Sequence, residues 1–249
     1  MLSGFYTIAS GMMSNQKNLD TIGNNMLNVE TTGFRGQKVI CSAFEKEMMS
    51  INDGSGSKVL GDGKGSPAVV IDSIESLFQS GVIKSTGRGL DVAINGDGFF
   101  NVTGDDGITY MTRDGGFNLD TEGYLVLPGV GRVVGESGYI KAVSSDAVIS
   151  ADGTASNASG TKLGKIKITA PTDYSTLERA ANGMFTSVNA VPVSNSYQLI
   201  QSSLEGSNVN LNMELTKLVA AQRAFQSCSS ALSTIDTLNR KAAQQLASI

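Results

Sequence analysis

Histidine and tryptophan are absent from this sequence, and cysteine and proline are scarce at 2 and 4 residues. Without histidine there is no Ser-His-Asp triad and no imidazole base, which also argues against a catalytic zinc site. Cys41 and Cys228 form no CxxC or zinc spacing, so they read as two thiols whose pairing the sequence leaves open. Aromatic residues make up only 6%, which excludes a large aromatic core. Charge is sparse too: the net value is −4 and the 19 Lys and Arg are scattered. A nucleic-acid footprint needs a basic stripe, so nucleic acid is not an expected partner. No apolar run is long enough for a transmembrane helix. The N-terminal MLSGFYTIAS lacks the basic region, apolar core and small-residue cleavage site of a secretory signal. The expectation is a chain without a cleaved signal peptide that, if it leaves the cell, takes another route.

Glycine is plentiful, 29 of 249 residues, and the hydrophobic share of 40% is that of a soluble protein. The length suits one to two domains. Both ends carry helical periodicity. Phe5, Met12, Leu19 and Met26 repeat every seven residues, and so do Ile8, Asn15, Ile22 and Val29, which makes one apolar stripe. The other faces are rich in Asn, Gln, Ser and Thr, so this helix is marginal alone and needs a packing partner. Gly33 is its stop signal. Near the C-terminus Leu211, Leu215, Leu218, Gln222 and Phe225 step by three and four, and Cys228, Leu232, Ile235, Asn239, Ala242, Leu246 and Ile249 continue the stripe. Asn208 or Asn210 caps the start, and Glu214 suits the first turn. A helix of about 39 residues would be roughly 58 Å long, more than a small domain can cover. Two such ends predict that the termini pair with each other and with other chains.

The middle reads as β-structure. Leu90, Val92 and Ile94 alternate, as do Ile108 and Tyr110. Turn pairs recur at Asn95-Gly96, Asp97-Gly98, Asp106-Gly107, Asp114-Gly115, Glu122-Gly123 and Ser137-Gly138, the rhythm of an antiparallel meander or barrel. Lys165 to Thr169 and Met184 to Val188 read as further strands. Asn52 to Ser66 is rich in Gly, Ser and Asp and reads as a loop or linker. The expected fold class is α+β, with long paired terminal helices, coiled-coil-like, around a central antiparallel β-rich domain. The expected division is 1–36, 37–66 (linker), 67–203 (β-rich) and 204–249.

No motif nominates an enzyme. The Gly-x-Gly runs at Gly54, Gly61 and Gly129 lack both the dinucleotide pattern and the Lys-Ser/Thr of a phosphate loop. Asp62, Asp97, Asp105, Asp106 and Asp114 do not fit a calcium loop and read as turn residues. No spacing nominates a carboxylate pair for sugar hydrolysis. The expectation is no catalytic residue, no cofactor and no metal. A secreted β-rich cell-wall enzyme or an adhesin is the competing reading, and neither needs two helical ends.

Four separated motifs resemble one family. Asn24-Asn25-Met26-Leu27-Asn28-Val29-Glu30-Thr31-Thr32-Gly33-Phe34-Arg35 is similar to the N-terminal signature of bacterial flagellar rod and hook proteins, which typically reads ANNLANVNTTGFK. Gly87 to Phe100, with Leu90-Asp91-Val92-Ala93-Ile94 and Gly96-Asp97-Gly98-Phe99-Phe100, resembles the start of the family's β-domain, continued by Thr112-Arg113-Asp114-Gly115-Gly116-Phe117. Leu204-Glu205-Gly206-Ser207-Asn208-Val209-Asn210 and Gln222-Arg223-Ala224-Phe225 resemble its SNV and QRAY motifs. Leu27, Glu30, Ser202 and Cys228 depart from the usual Ala, Asn, Gly and Asn.

The resemblance implies a structural subunit of the flagellar rod that polymerises into a helical tube and transmits torque. The chain lacks room for the hook subunit's extra domain and has too much β-sequence for the smallest rod subunits; the proximal rod is favoured over the distal. Terminal helices of many copies would build an inner tube, and the β-domain an outer layer. Partners would be copies of itself, other rod subunits, hook subunits and the flagellar export apparatus, with no membrane insertion. The ends would stay open in the monomer and fold on assembly. Phe5, Ile8, Met12, Leu19, Ile22, Met26, Leu218, Phe225, Leu232 and Ile235 are the expected assembly interface. Phe44 to Met48 resembles a short export signal. The expected location is the basal body, in the rod that spans periplasm and cell wall.

Overall fold

The computed structural model describes residues 2–44, 50, 51, 58, 59, 68–142, 147–157, 159–180, 183–187, 189–193 and 197–246. They fall into two compact units. The first takes in the chain up to Leu27, Gln37–Leu77 and the chain from Asn210 onward; the second is Asn28–Gly36 with Phe78–Val209.

In the first unit, helix α1 spans Leu2–Leu27 and helix α2 spans Leu211–Leu246. Each follows the three-and-four spacing of its apolar residues. Helix α1 ends well before Gly33. Asn28 accepts a backbone hydrogen bond from Thr31 at 3.3 Å and its side-chain oxygen takes the Thr31 hydroxyl at 3.2 Å. This local bonding draws the chain out of the helix, so Val29 leaves the expected stripe. Helix α2 starts at a cap: Asn210 Oδ1 accepts Met213 N at 3.2 Å, and its carbonyl accepts Glu214 N.

The expected linker 37–66 is corrected at its start. Gln37–Phe44 is a strand, paired antiparallel with Ala68–Ser76 in register Gln37 to Ser76 and Phe44 to Ala68. Ala68–Ser76 carries Val69, Val70, Ile71 and Ile74, Gln37–Phe44 carries Val39 and Ile40, and together the two strands form a ribbon against α1. Of the expected loop Asn52 to Ser66, Lys58–Val59 pairs with Ser50–Ile51; the rest lies outside the described residues. The two compact units alternate along the chain, with changes after 27, 36, 77 and 209.

The second unit is β-rich. Among the described residues ten strands join one sheet, running through Glu178–Arg179, Phe185–Thr186, Thr109–Thr112, Phe99–Gly104, Gly131–Gly135, Leu125–Leu127 and Asn118–Leu119. Ile168–Pro171 pairs with Phe99–Gly104 and with Ala190–Pro192. The Asp106-Gly107 turn joins Phe99–Gly104 to Thr109–Thr112, with Gly107 at φ +78 and Asp106 Oδ1 accepting Ile108 N. Val92, Ile94, Phe100, Val102, Phe117, Val133 and Ile166 form the core. The strand Val92–Gly96 opens with three buried residues in succession rather than strict alternation.

Candidate functional site

Two features rise from the signature motifs. One is the helix pair of the first unit. Helices α1 and α2 touch and run antiparallel where their side chains meet. Asn25, near the end of α1, donates from Nδ2 to Glu214 Oε2 at 3.4 Å, near the start of α2. Asn15 Nδ2 points to Cys228 Sγ at 3.9 Å, further along it. Asn25 also grips a backbone: its Nδ2 donates to Gln37 O and its Oδ1 accepts Gln37 N, both at 2.8 Å. Glu214 is buried and held a second time by Lys217 Nζ at 2.7 Å. Neither of these polar partners was among the expected interface residues. An Asn in the signature and a Glu in the first turn of α2 were the available signals.

Ile22 is 3% exposed, while Ile8, Met12, Leu19, Met26, Leu218, Phe225, Leu232 and Ile235 are half-buried and Phe5 is exposed. The early part of the C-terminal stripe is shifted. Glu214, Leu218 and Ala221 are the covered positions, while Leu211, Leu215 and Gln222 are exposed. Satisfied hydrogen bonds let Glu214 take an inward place that apolar periodicity alone would not award it. The Phe44 side chain and Met48 lie outside the described residues.

A different apolar row remains open. Tyr6, Met13 and Leu27 are 65%, 67% and 86% exposed and share one face of α1, seven and fourteen residues apart, with the exposed Asp20 between the last two. Ser10 and Ser14, on another face, meet Val69 N at 3.2 Å and Cys41 Sγ at 3.0 Å. On α2, Leu211, Leu215 and Val219 form an exposed row at four-residue steps.

The other feature lies in the second unit, where three motifs converge on one buried carboxylate. Glu205 Oε1 meets Arg35 Nη1 at 2.9 Å, and Glu205 Oε2 meets Arg113 Nη1 at 3.1 Å. The three side chains are 0%, 1% and 4% exposed respectively. Oε1 also accepts Gly81 N at 2.8 Å. Arg35 Nη1 reaches Gln79 O at 2.6 Å, and Arg113 Nη2 reaches Gly96 O at 2.7 Å. Burial pulls the Arg35 guanidinium below its ordinary pKa, Glu205 opposes that shift, and Arg113 adds to it. Arginine stays charged regardless. Arg179 stacks over Phe34 at 4.5 Å and donates to Arg35 O at 2.9 Å. Asn208 accepts Gly36 N on Oδ1 at 2.8 Å and gives Nδ2 to Gln79 O at 3.0 Å. Its work is to hold these segments together, while Asn210 caps α2. Among the described residues no group of three His, Cys, Asp or Glu is placed to hold a metal ion.

Three family descriptions match the chain. "Flagella basal body rod protein" covers residues 5–35, "Flagellar hook protein FlgE/F/G D1 domain" covers 93–187, and "Flagellar basal body rod FlgEFG protein C-terminal" covers 200–245. Arg35, Arg113 and Glu205 fall one in each. The flagellar basal-body rod protein FlgG of Bacillus subtilis is 34% identical, over 96% of this chain and 97% of its own length. FlgG of Borreliella burgdorferi is 32% identical over 96% of each chain. The basal-body rod protein FlgF of Caulobacter vibrioides is 31% identical over 100% of both.

Proposed function

This chain belongs to the flagellar basal-body rod protein family, and on that footing we propose that it is a structural subunit of the bacterial flagellar rod. Its work is mechanical rather than catalytic. Copies add to one another and to other rod subunits in the basal body, and the terminal helices build the wall of a torque-bearing tube. Relatives named FlgG and FlgF match at similar identity, so they support the rod without singling out the proximal position the sequence favoured.

The observation that carries this reading is an exposed apolar row on each helix: Tyr6, Met13 and Leu27 on α1, and Leu211, Leu215 and Val219 on α2. Apolar side chains lined up on helices with little charge favour contact with a neighbour. A contact between two different faces of one chain, repeated by a rotation that does not close, makes a helical polymer. In this reading the residues nominated from the stripes, such as Ile22, Phe225 and Leu232, hold each subunit's own helices together in a coiled-coil-like seam. The open rows meet the next copy. Passage through the flagellar export apparatus, with Phe44 and Met48 as its signal, belongs to the same proposal and is supported by the resemblance of the motifs.

The test is complementation of a strain lacking its own copy. Met13→Glu and Val219→Glu place charges on the exposed rows without touching the core of either unit. The expected outcome is a protein that accumulates and keeps its β-rich unit folded, with no completed rod in isolated basal bodies. Normal rods with both variants would overturn the assignment of these faces.

A further inference from the structure

The residues just after α1 and just before α2 belong to the second unit, and they lie against each other there. Gly33 N donates to Glu205 O at 2.8 Å, Asn208 N to Phe34 O at 3.4 Å, and Gly36 N to Asn208 Oδ1 at 2.8 Å. Segment 28–36 thus has its backbone read chiefly by segment 203–209. Its fit is close. Gly33 stands at φ +66, and a Cβ there would come within 2.4 Å of Asp114 N. Gly81 would bring a Cβ to 2.0 Å from the carbonyl oxygen of Gly206. At the centre sits one carboxylate between two guanidiniums, so the three charged groups carry a net positive charge in a buried place. Arg35 Nε and Nη2 and Arg113 Nε have no hydrogen-bond partner among the described residues.

We propose that segments 28–36 and 203–209 form a two-part clasp that closes on the β-rich unit in a single step, with Glu205 as its latch. The reason is electrostatic. Without Glu205, seating segment 28–36 would bury Arg35 beside Arg113, two like charges with no counterion, and burial of an unpaired charge is prohibitive. With Glu205 in place the same arginines become its partners. Segment 28–36 therefore cannot close first, although it comes first in the chain. Its docking waits for residues 203–209, and theirs gains from it in return. Arg113 is the anchor on the β-core, donating to Ile94 O and Gly96 O and lying over Phe99, whereas Phe100, Val102 and Val133 pack on apolar neighbours and hold without the closure. A chain delivered N-terminus first keeps residues 28–36 open until Glu205 has arrived. This closure is a property of the second unit and stands whether or not the protein polymerises.

Hydrogen exchange read by mass spectrometry on the full-length protein tests it, following peptides over 28–36, 203–209 and the core strand Phe99–Gly104. Glu205→Gln keeps the shape and removes the charge. The expected result is exchange about 100-fold faster in both segments together, as for a broken buried ion pair, with the core strand unchanged. Arg35→Leu, altering the other side of the clasp, should loosen 203–209 along with 28–36. Loosening confined to the altered segment in either variant would overturn the proposal, because the segments would then close independently. Loss of protection in the core strand as well would overturn it too, because the latch would then belong to the core. Unchanged exchange in both segments would show that Glu205 is no latch.

Discussion

At the scale of single residues, backbone conformation and turn chemistry give two sharp expectations. Ser202 is a non-glycine residue at φ +57, between the strands Tyr197–Gln201 and Ser203–Glu205. Its carbonyl accepts Thr86 N at 2.8 Å, so the conformation is held by a partner that any residue could supply. A left-handed β-carbon costs roughly 1–2 kcal/mol, and glycine gives back about half of that in chain entropy. Ser202→Gly should raise stability by about 0.5–1 kcal/mol, seen as a higher melting temperature. The second expectation concerns pH. Hydrogen bonds from Tyr110 and Ile108 N hold the Asp106 carboxyl below its usual pKa; Thr154 does the same for Asp152, and Ser175 N for Asp173. A depressed folded pKa adds stability above the ordinary carboxylate value and loses it as pH falls through the folded value. With no histidine in the chain, the melting temperature should stay flat from about pH 7 to about pH 5 and decline below about pH 4. Asp106→Asn should make the acid decline shallower; an unaltered decline in that variant would count against its turn as a contributor.

At the scale of elements, legibility follows the range of the interactions. The helices were readable because their apolar spacing is local, and Asp106-Gly107 because a turn is chosen by its own residues. The strand Gln37–Phe44 was missed because its partner, Ala68–Ser76, lies beyond a Gly-rich stretch and only pairing reveals it. The inward place of Glu214 was missed because Asn25, distant in sequence, satisfies it. Arg35, Arg113 and Glu205 each stood inside a recognised motif, but no periodicity links positions so far apart. The helix pair carries its own expectation. Ile22 is buried while Phe225 is only half-buried, so Ile22→Ala should cost about 2–4 kcal/mol and Phe225→Ala about 2 kcal/mol or less. Far-UV circular dichroism melts of the full-length variants would rank them, and a larger loss for Phe225→Ala would contradict this packing order.

At the scale of the whole molecule, the two units differ in how much apolar surface each buries. Ile22 and Ala221 are the fully covered apolar side chains of the first unit among the described residues, whereas the second has a core reaching from Leu90 to Leu199. Local opening is easiest where buried apolar contacts are few, so α1 and α2 in the free chain should open well before the β-rich unit does. Helical ends that stay open in the monomer, as their Asn-rich, weakly charged faces predict, would expose roughly residues 1–35 and 205–249 to a protease. The structure shifts those limits, because residues 28–36 and 203–209 are held in the second unit through Gly33, Phe34, Glu205 and Asn208. Limited proteolysis of the monomer should first produce a fragment that begins near Asn28 and ends near Val209. In Glu205→Gln the same digestion should go further, removing 28–36 and 203–209 and stopping at the core. Mass spectrometry of the early fragments decides the matter. A wild-type fragment that starts beyond Gly36 or stops short of Ser203 would show that these segments open with the helices and not with the unit that contains them.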